Sequence, residues 1–176
     1  MKEIEVKILN VAKQKIEETL TQLGAKQTFN DTITTFFFDF ENGSIANAKN
    51  VLRLRKEGKL TVLTFKKILN NKTAKIAEEV EVEVSNLPKM RRILELIGLT
   101  VTGSIQKHRK SYKFDGVRFD IDTLEKEYSY IPTYIEIEAK NIELIHKYAN
   151  ILGYKDADCL PWTTAELIEF YSKKIN

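Results

Sequence analysis

Charged and apolar residues alternate with a period of two in segment after segment of this chain. Glu3-Ile4-Glu5-Val6-Lys7 stands near the start, and Glu79-Val80-Glu81-Val82-Glu83 and Glu136-Ile137-Glu138-Ala139-Lys140 repeat the pattern. Successive side chains of a β-strand point to opposite faces, so each segment predicts a strand with carboxylates on one side and aliphatics on the other. Eight strands are expected on this basis, at about 2–9, 27–40, 51–57, 60–67, 75–85, 102–114, 117–124 and 133–140. Glu57-Gly58-Lys59 and Asp115-Gly116 predict hairpin turns, and Asn70-Asn71-Lys72 and Ser129-Tyr130-Ile131-Pro132 predict loops.

Helical periodicity follows each acidic strand. Asn10, Asn86 and Asn141 are expected N-caps, and Gly24, Gly98 and Gly153 expected stops. The apolar stripes between them are Ile16, Leu20 and Leu23; Ile93, Leu94 and Ile97; and Leu144, Ile145, Tyr148 and Leu152. Glu3, Glu5, Asn10, Phe38 and Asp39 match Glu79, Glu81, Asn86, Phe114 and Asp115 at one constant offset, which predicts a degenerate strand-helix-strand repeat with a partial third copy. A last helix is expected from Thr163 to Lys174, entered by Pro161-Trp162-Thr163, with Leu167, Ile168 and Tyr171 apolar. No low-complexity linker interrupts residues 1–176, so a single domain is expected.

One face of the predicted strands collects Glu3, Glu5, Lys7, Arg53, Arg55, Lys66, Lys75, Glu79, Glu81, Glu83, Lys107, Arg109, Arg118, Asp120, Asp122, Glu136 and Glu138. The other collects Ile4, Val6, Leu52, Leu54, Leu63, Phe65, Val80, Val82, Phe119, Ile121, Ile135 and Ile137, and is expected to be buried. Almost no Ser, Thr or Gln dilutes the charged face. Same-face neighbours on a strand lie about 7 Å apart. Two carboxylates there repel by about 2 kcal/mol at an effective dielectric near 20, unless a cation or facing arginine offsets them. The expected fold is therefore α+β: an eight-stranded antiparallel β-barrel with a charged lumen and helices packed outside. Its natural ligand is a small, highly charged molecule, with bases on phosphates and carboxylates on Mg²⁺ or Mn²⁺.

Charge and composition narrow the partners. The chain has 176 residues and a net charge of +3, without a basic tail, so nucleic acid is not expected. No apolar run is long enough to span a membrane, and a cytoplasmic protein is expected. Cys159 is the single cysteine, which excludes an internal disulfide. His108, His146, Trp162, Tyr112 and Tyr134 read as packing or surface residues rather than chemistry.

Glu3-x-Glu5-x-Lys7, Phe38-Asp39, Leu52-Arg53-Leu54-Arg55, Leu63-Thr64-Phe65-Lys66, Lys107-x-Arg109, Ile121-Asp122 and Glu136-Ile137-Glu138 resemble, in order, the motifs of the CYTH superfamily. These triphosphate tunnel metalloenzymes include class IV adenylyl cyclases, thiamine triphosphatases and inorganic triphosphatases. The resemblance runs from about residue 2 to 171. It implies that Lys7, Arg53, Arg55, Lys66, Lys107 and Arg109 bind a triphosphate chain. It implies that Glu3, Glu5, Asp122, Glu136 and Glu138 hold one or two Mg²⁺ or Mn²⁺ ions, with Glu79 or Glu81 contributing. Glu79, Glu81 or another lumen carboxylate is expected to accept the proton of the attacking water. The last helix is expected to cover one tunnel end.

The chain departs from the family at Lys67, where Gly is usual, at Lys75, where Arg is usual, and at Tyr130-Ile131-Pro132-Thr133, which replaces a Gly-rich stretch. The expected activity is metal-dependent hydrolysis of tripolyphosphate, ATP or another nucleoside triphosphate, or thiamine triphosphate. Cyclisation of ATP to cyclic AMP and pyrophosphate is the alternative, and a non-catalytic triphosphate- or polyphosphate-binding module the second. A homodimer is left open.

Overall fold

The computed structural model describes residues 2–69 and 75–175, with side chains from 4–67 and 77–174. The strands are β1 (Lys2–Ile8), β2 (Lys26–Phe40), β3 (Asn50–Glu57), β4 (Leu60–Leu69), β5 (Lys75–Glu83), β6 (Leu99–Phe114), β7 (Val117–Leu124) and β8 (Tyr134–Ala139). The helices are α1 (Lys13–Gln22), α2 (Ser44–Asn47), α3 (Leu87–Leu96), α4 (Ile142–Ile151) and α5 (Thr164–Ile175). All eight strands pair antiparallel in the order β1-β5-β4-β3-β2-β6-β7-β8, and β8 pairs back onto β1, so the sheet closes into a barrel. The expected loop at Asn70-Asn71-Lys72 lies outside the described residues.

Register decides which side chains share the lumen. Lys7 stands opposite Glu136, Arg53 opposite Thr64, Lys66 opposite Glu79, and Arg109 opposite Asp122. Directly paired residues point to the same face, so these four pairs carry one charged surface around the barrel.

Helices cover the aliphatic outside in two places. α1, through Ile16 and Leu20, and α4, through Ile145, Tyr148 and Ala149, pack on Val6, Ile8, Phe119, Ile121, Ile135 and Ile137. α3 lays Leu94 and Met90 on Phe38, Leu52, Leu54 and Leu99. The β4–β5 corner is covered by neither: Phe65, Val80 and Val82 are 38, 66 and 54% exposed. The expectation of a wholly buried aliphatic face is corrected there. The helices cover β7, β8 and β1 on one side and β2, β3 and β6 on the other, and much of the outer face of β4 and β5 is left open.

The helix signals hold at two of three sites. Asn86 and Asn141 accept hydrogen bonds from Lys89 N and Leu144 N, as N-caps do. Asn10 does not cap: it takes a left-handed φ of 53°, and α1 begins beyond Ala12, which makes no side-chain cap. The turn at Asn10 uses the residue's tolerance of positive φ rather than its carbonyl.

α5 is carried to the barrel by a bridge. Lys7 and Leu160 exchange backbone hydrogen bonds of 2.8 Å, beyond the stretch of β1 that pairs with β5. Pro161 and Trp162 follow, and Leu167, Ile168 and Tyr171 then pack with Leu124, Ile131, Tyr134, Ile105 and Tyr128. Trp162 packs against Phe170 with ring centroids 4.9 Å apart and the planes tilted by 58°, an anchor for the helix.

A charged tunnel and its antechamber

A chamber of about 80 Å³ lies inside the barrel, lined by Glu5, Lys7, Arg53, Arg55, Lys66, Glu79, Glu81, Lys107, Arg109, Arg118, Glu136 and Thr164. Apart from Thr164 at the start of α5, every lining residue is charged. Seven cations and four carboxylates line it, and Glu57, Asp120, Asp122 and Glu138 pair with those cations from beside or behind the lining.

The cations divide into two kinds. Arg109 donates from Nε to one Asp122 oxygen at 2.7 Å and from an Nη to the other at 2.5 Å, a bidentate fork, and reaches Asp120 and Glu136 at 2.5 Å. Lys7 sits 2.8 Å from Glu136 and 3.5 Å from Glu5. Burial disfavours the charge of both, yet their carboxylate partners outweigh it and raise both pKa values. Glu136 answers in kind. Burial pushes its carboxyl up, but Lys7, Lys107 and Arg109 hold it well below the usual range.

Arg53, Arg55 and Lys107 are the opposite case. Burial is the largest cause in each, like-charged neighbours add to it, and nearby carboxylates do not compensate. Arg55 is lowered to about 10, by burial and then by Arg53. Lys107 lies 2.5 Å from Asp122 but shares that carboxylate with Arg109, whose charge works against it. Cations held in so unfavourable a setting would be stabilised by an incoming anion. Lys66 faces the same chamber and pairs with Glu79, with Glu5 at 4.0 Å.

The tunnel gathers most of the residues expected from sequence. Lys7, Arg53, Arg55, Lys66, Lys107, Arg109, Glu5, Glu79, Glu81 and Glu136 all line the chamber. Glu138 is beside it, 2.5 Å from Arg118. Asp122 is fully buried behind Arg109 and Lys107. The backbone of Glu3 pairs with Ala77, and its side chain lies outside the described ones. Among the described residues no three carboxylate, histidine or cysteine side chains form a ready cation cage. Their carboxylates are turned to lysines and arginines instead.

Several inward-facing groups escaped sequence reasoning. Thr64 is fully buried in the wall and donates to Glu81 at 2.8 Å, and Thr35 and Ser111 are buried at inward register positions. Strand alternation already assigns Thr64 to the face of Lys66, so that signal was available. Thr164 is brought in by tertiary packing alone. Tyr112 and Tyr134 are core residues, and burial pushes the buried Cys159 thiol up to about 11, which leaves it a poor nucleophile.

A second cavity, of about 390 Å³, adjoins the first. The two share Arg53, Lys66 and Thr164. Phe37, Ile105, Tyr128 and Ile168 furnish its apolar wall, and the buried Asp39 also lines it. Asp39 accepts three backbone N–H groups, from Phe40, Ile45 and Ala46, which fastens α2 to the end of β2.

A family model described as the CYTH domain matches residues 1–162. A protein of Methanocaldococcus jannaschii, provisionally named an adenylate cyclase, is 28% identical over 152 residues, which are 86% of this chain and 84% of that one. The solved structure of a Pyrococcus horikoshii OT3 protein superposes with a TM-score of 0.78 at 27% identity, covering 94% of this chain and 98% of that one. A provisionally named adenylyl cyclase of Hippeastrum, described as having a dominant triphosphatase activity, superposes with a TM-score of 0.64. At 20% identity over 86% of this chain and 88% of that one, its likeness is one of fold.

Proposed function

The chain belongs to the CYTH family, and from that premise we propose that it is a divalent-metal-dependent triphosphatase acting inside the barrel. One observation carries the reading: Lys7, Arg53, Arg55, Lys66, Lys107 and Arg109 line one small chamber, and in Arg53, Arg55 and Lys107 burial outweighs the carboxylates beside them. These three have carboxylate partners that do not offset their burial, and a triphosphate chain would supply further anionic oxygens. Arginine forks match such oxygens in pairs.

The donor set fits Mg²⁺ or Mn²⁺. Glu5, Glu79, Glu81 and Glu136 offer hard carboxylate oxygens at the chamber wall, with Glu138 next to it and Glu3 proposed to join them. One or two such ions would neutralise phosphate charge and make a bound water more acidic. Asp122 is assigned here to hold Arg109 and Lys107 in position, and the family pattern leaves it available as an ion ligand. Arg53, Arg55, Lys66 and Lys107 orient the phosphates and stabilise charge developing on the transferring group. Glu81 has 44% of its side chain exposed and touches Thr64, which suits a group that takes a proton from water and returns it to solvent. Glu79, enclosed by Lys66 and Arg53, serves the same role less readily.

Phosphate release from tripolyphosphate, ATP and thiamine triphosphate with Mg²⁺ or Mn²⁺ tests the reading. Turnover should be lost in Arg53→Ala and in Glu5→Gln while both remain folded. Unchanged activity in both would sink the assignment. The relative named an adenylate cyclase favours a second reading, cyclisation of ATP, on the same phosphate site. Product analysis separates them: cyclic AMP and pyrophosphate against ADP and phosphate.

A further inference from the structure

The barrel carries its charges inside, so its outer face is hydrocarbon and needs a cover. Helices provide one over most strands, but not over β4 and β5. There Phe65 of β4 stands directly opposite Val80 of β5, and the half-buried Leu63 opposite Val82, so all four point outward together. The next outward pair is Lys67 and Glu78, both exposed and opposite in charge. A sheet face that meets water ordinarily carries polar residues where this one carries phenylalanine and valine.

The end of α3 adds a ridge beside this floor. Arg91 lies over the Phe36 ring at 5.4 Å, so that flank of the helix is turned to β2. Ile93 and Ile97 follow about 200° and 240° further round the helix axis. They therefore lie on the flank turned to β4, since β3 separates β2 from β4. Ile93 and Ile97 are 52 and 62% exposed, and Leu96, between the flanks on the side away from the sheet, is 67% exposed.

We propose that this face docks on the same face of a second copy of the chain, about a two-fold axis that runs along the strands between β4 and β5. Such an axis sets Phe65 of each copy against Val80 of the other and Lys67 against Glu78, so the opposite charges pair twice. Face-to-face sheets lie about 10 Å apart, and a helix is about 10 Å thick, so α3 of each copy fills the step beside the β5 strand of the other. Area agrees as well. A standard interface takes about 800 Å² from each partner and homodimer interfaces are about 65% apolar, which calls for on the order of 500 Å² of exposed hydrocarbon. Phe65, Val80, Val82, Ile93, Leu96 and Ile97, between 38 and 67% exposed, form a patch of that order. The inner faces of the same two strands carry Thr64, Lys66, Glu79 and Glu81, so the second copy backs one wall of the chamber. The inference does not depend on what the chamber binds.

Sedimentation equilibrium of the full chain is the test. Wild type should reach twice the chain mass of 20.4 kDa at micromolar concentration, and should dissociate on dilution to a folded monomer. Val80→Lys and Ile93→Lys, each checked for native circular dichroism, should weaken the dimer at least about a hundredfold, because each buries two unpaired charges. Either variant suffices if the other misfolds. Lys67→Glu and Glu78→Lys should each dissociate it too, since like charges then face one another, and mixing these two variants should restore a dimer. A wild type that stays monomeric at every concentration gives the face to a different partner and overturns the inference. A dimer indifferent to both Val80→Lys and Ile93→Lys places the contact elsewhere and overturns it as well. So does failure of the mixed charge variants to pair.

Discussion

Lys7 of β1 and Glu136 of β8 stand directly opposite each other in the barrel wall and form an ion pair of 2.8 Å. Lys7 is 1% exposed, so the pair seals the junction between the first and last strands with charge instead of hydrocarbon. Removing one partner from a buried pair leaves the other uncompensated, at about 3–5 kcal/mol. The same strands carry the tunnel's chemistry on one face and the core on the other. Closure of the barrel and assembly of the site are thus one event.

Glu136→Gln should lower stability at neutral pH and change its pH dependence. The folded carboxyl lies well below its unfolded value, so its contribution is present above the ordinary carboxylate pKa of about 4.3. That contribution is lost as pH falls through the folded value. Urea midpoints from pH 7 downward should show wild type and variant far apart at neutrality and converging in acid. A constant gap would refute the linkage.

Arg55→Met should stabilise the protein while damaging its function. The folded guanidinium is lowered to about 10, so the fold disfavours its charge at every pH below that value. Thermal midpoints should rise, and tripolyphosphate affinity should fall by about tenfold or more, the loss of a charge-assisted bidentate contact. Parallel loss of both would mean that Arg55 is structural.

Asp39→Ala should loosen the wall of the larger cavity where α2 meets β2. The carboxylate accepts from Phe40, Ile45 and Ala46, and those bonds hold it below its ordinary value against the opposing effect of burial. Its support is present above the ordinary carboxylate pKa and fades as pH falls. The variant should melt a few degrees lower and show faster amide exchange in α2, with exchange in α4 unchanged.

Val80→Lys should change the stability of the dilute, monomeric chain by no more than about 0.5 kcal/mol, since a surface position carries little. Leu54→Ala, in the fully buried cluster under α3, should cost about 2–5 kcal/mol. Equal losses in denaturant titration at that dilution would show that the β4–β5 face is covered within the single chain.

Alternation made the strands legible. Glu57-Gly58 and Asp115-Gly116 marked their hairpins, and Gly58, Asp115 and Gly116 do take positive φ values. Asn86 and Asn141 marked two helix starts because a cap is a contact between near neighbours. Asn10 misled because the same residue type also serves a left-handed turn. Phe65, Val80 and Val82 misled for another reason: alternation assigns a face but cannot say whether a helix lies over it.

By itself the sequence determined the eight strands, the separation of charge from hydrocarbon, and the motifs that mark the family, because these depend on period-two geometry and nearby residues. Tertiary structure alone decided three further matters. It set Lys7 against Glu136, it divided the tunnel's cations into those whose carboxylate partners outweigh burial and those whose partners do not, and it brought Thr164 and Ile168 of α5 to the antechamber. Each depends on register around a closed sheet or on packing between distant segments. Burial, which sets the cost of a charge, exists only once the barrel has closed.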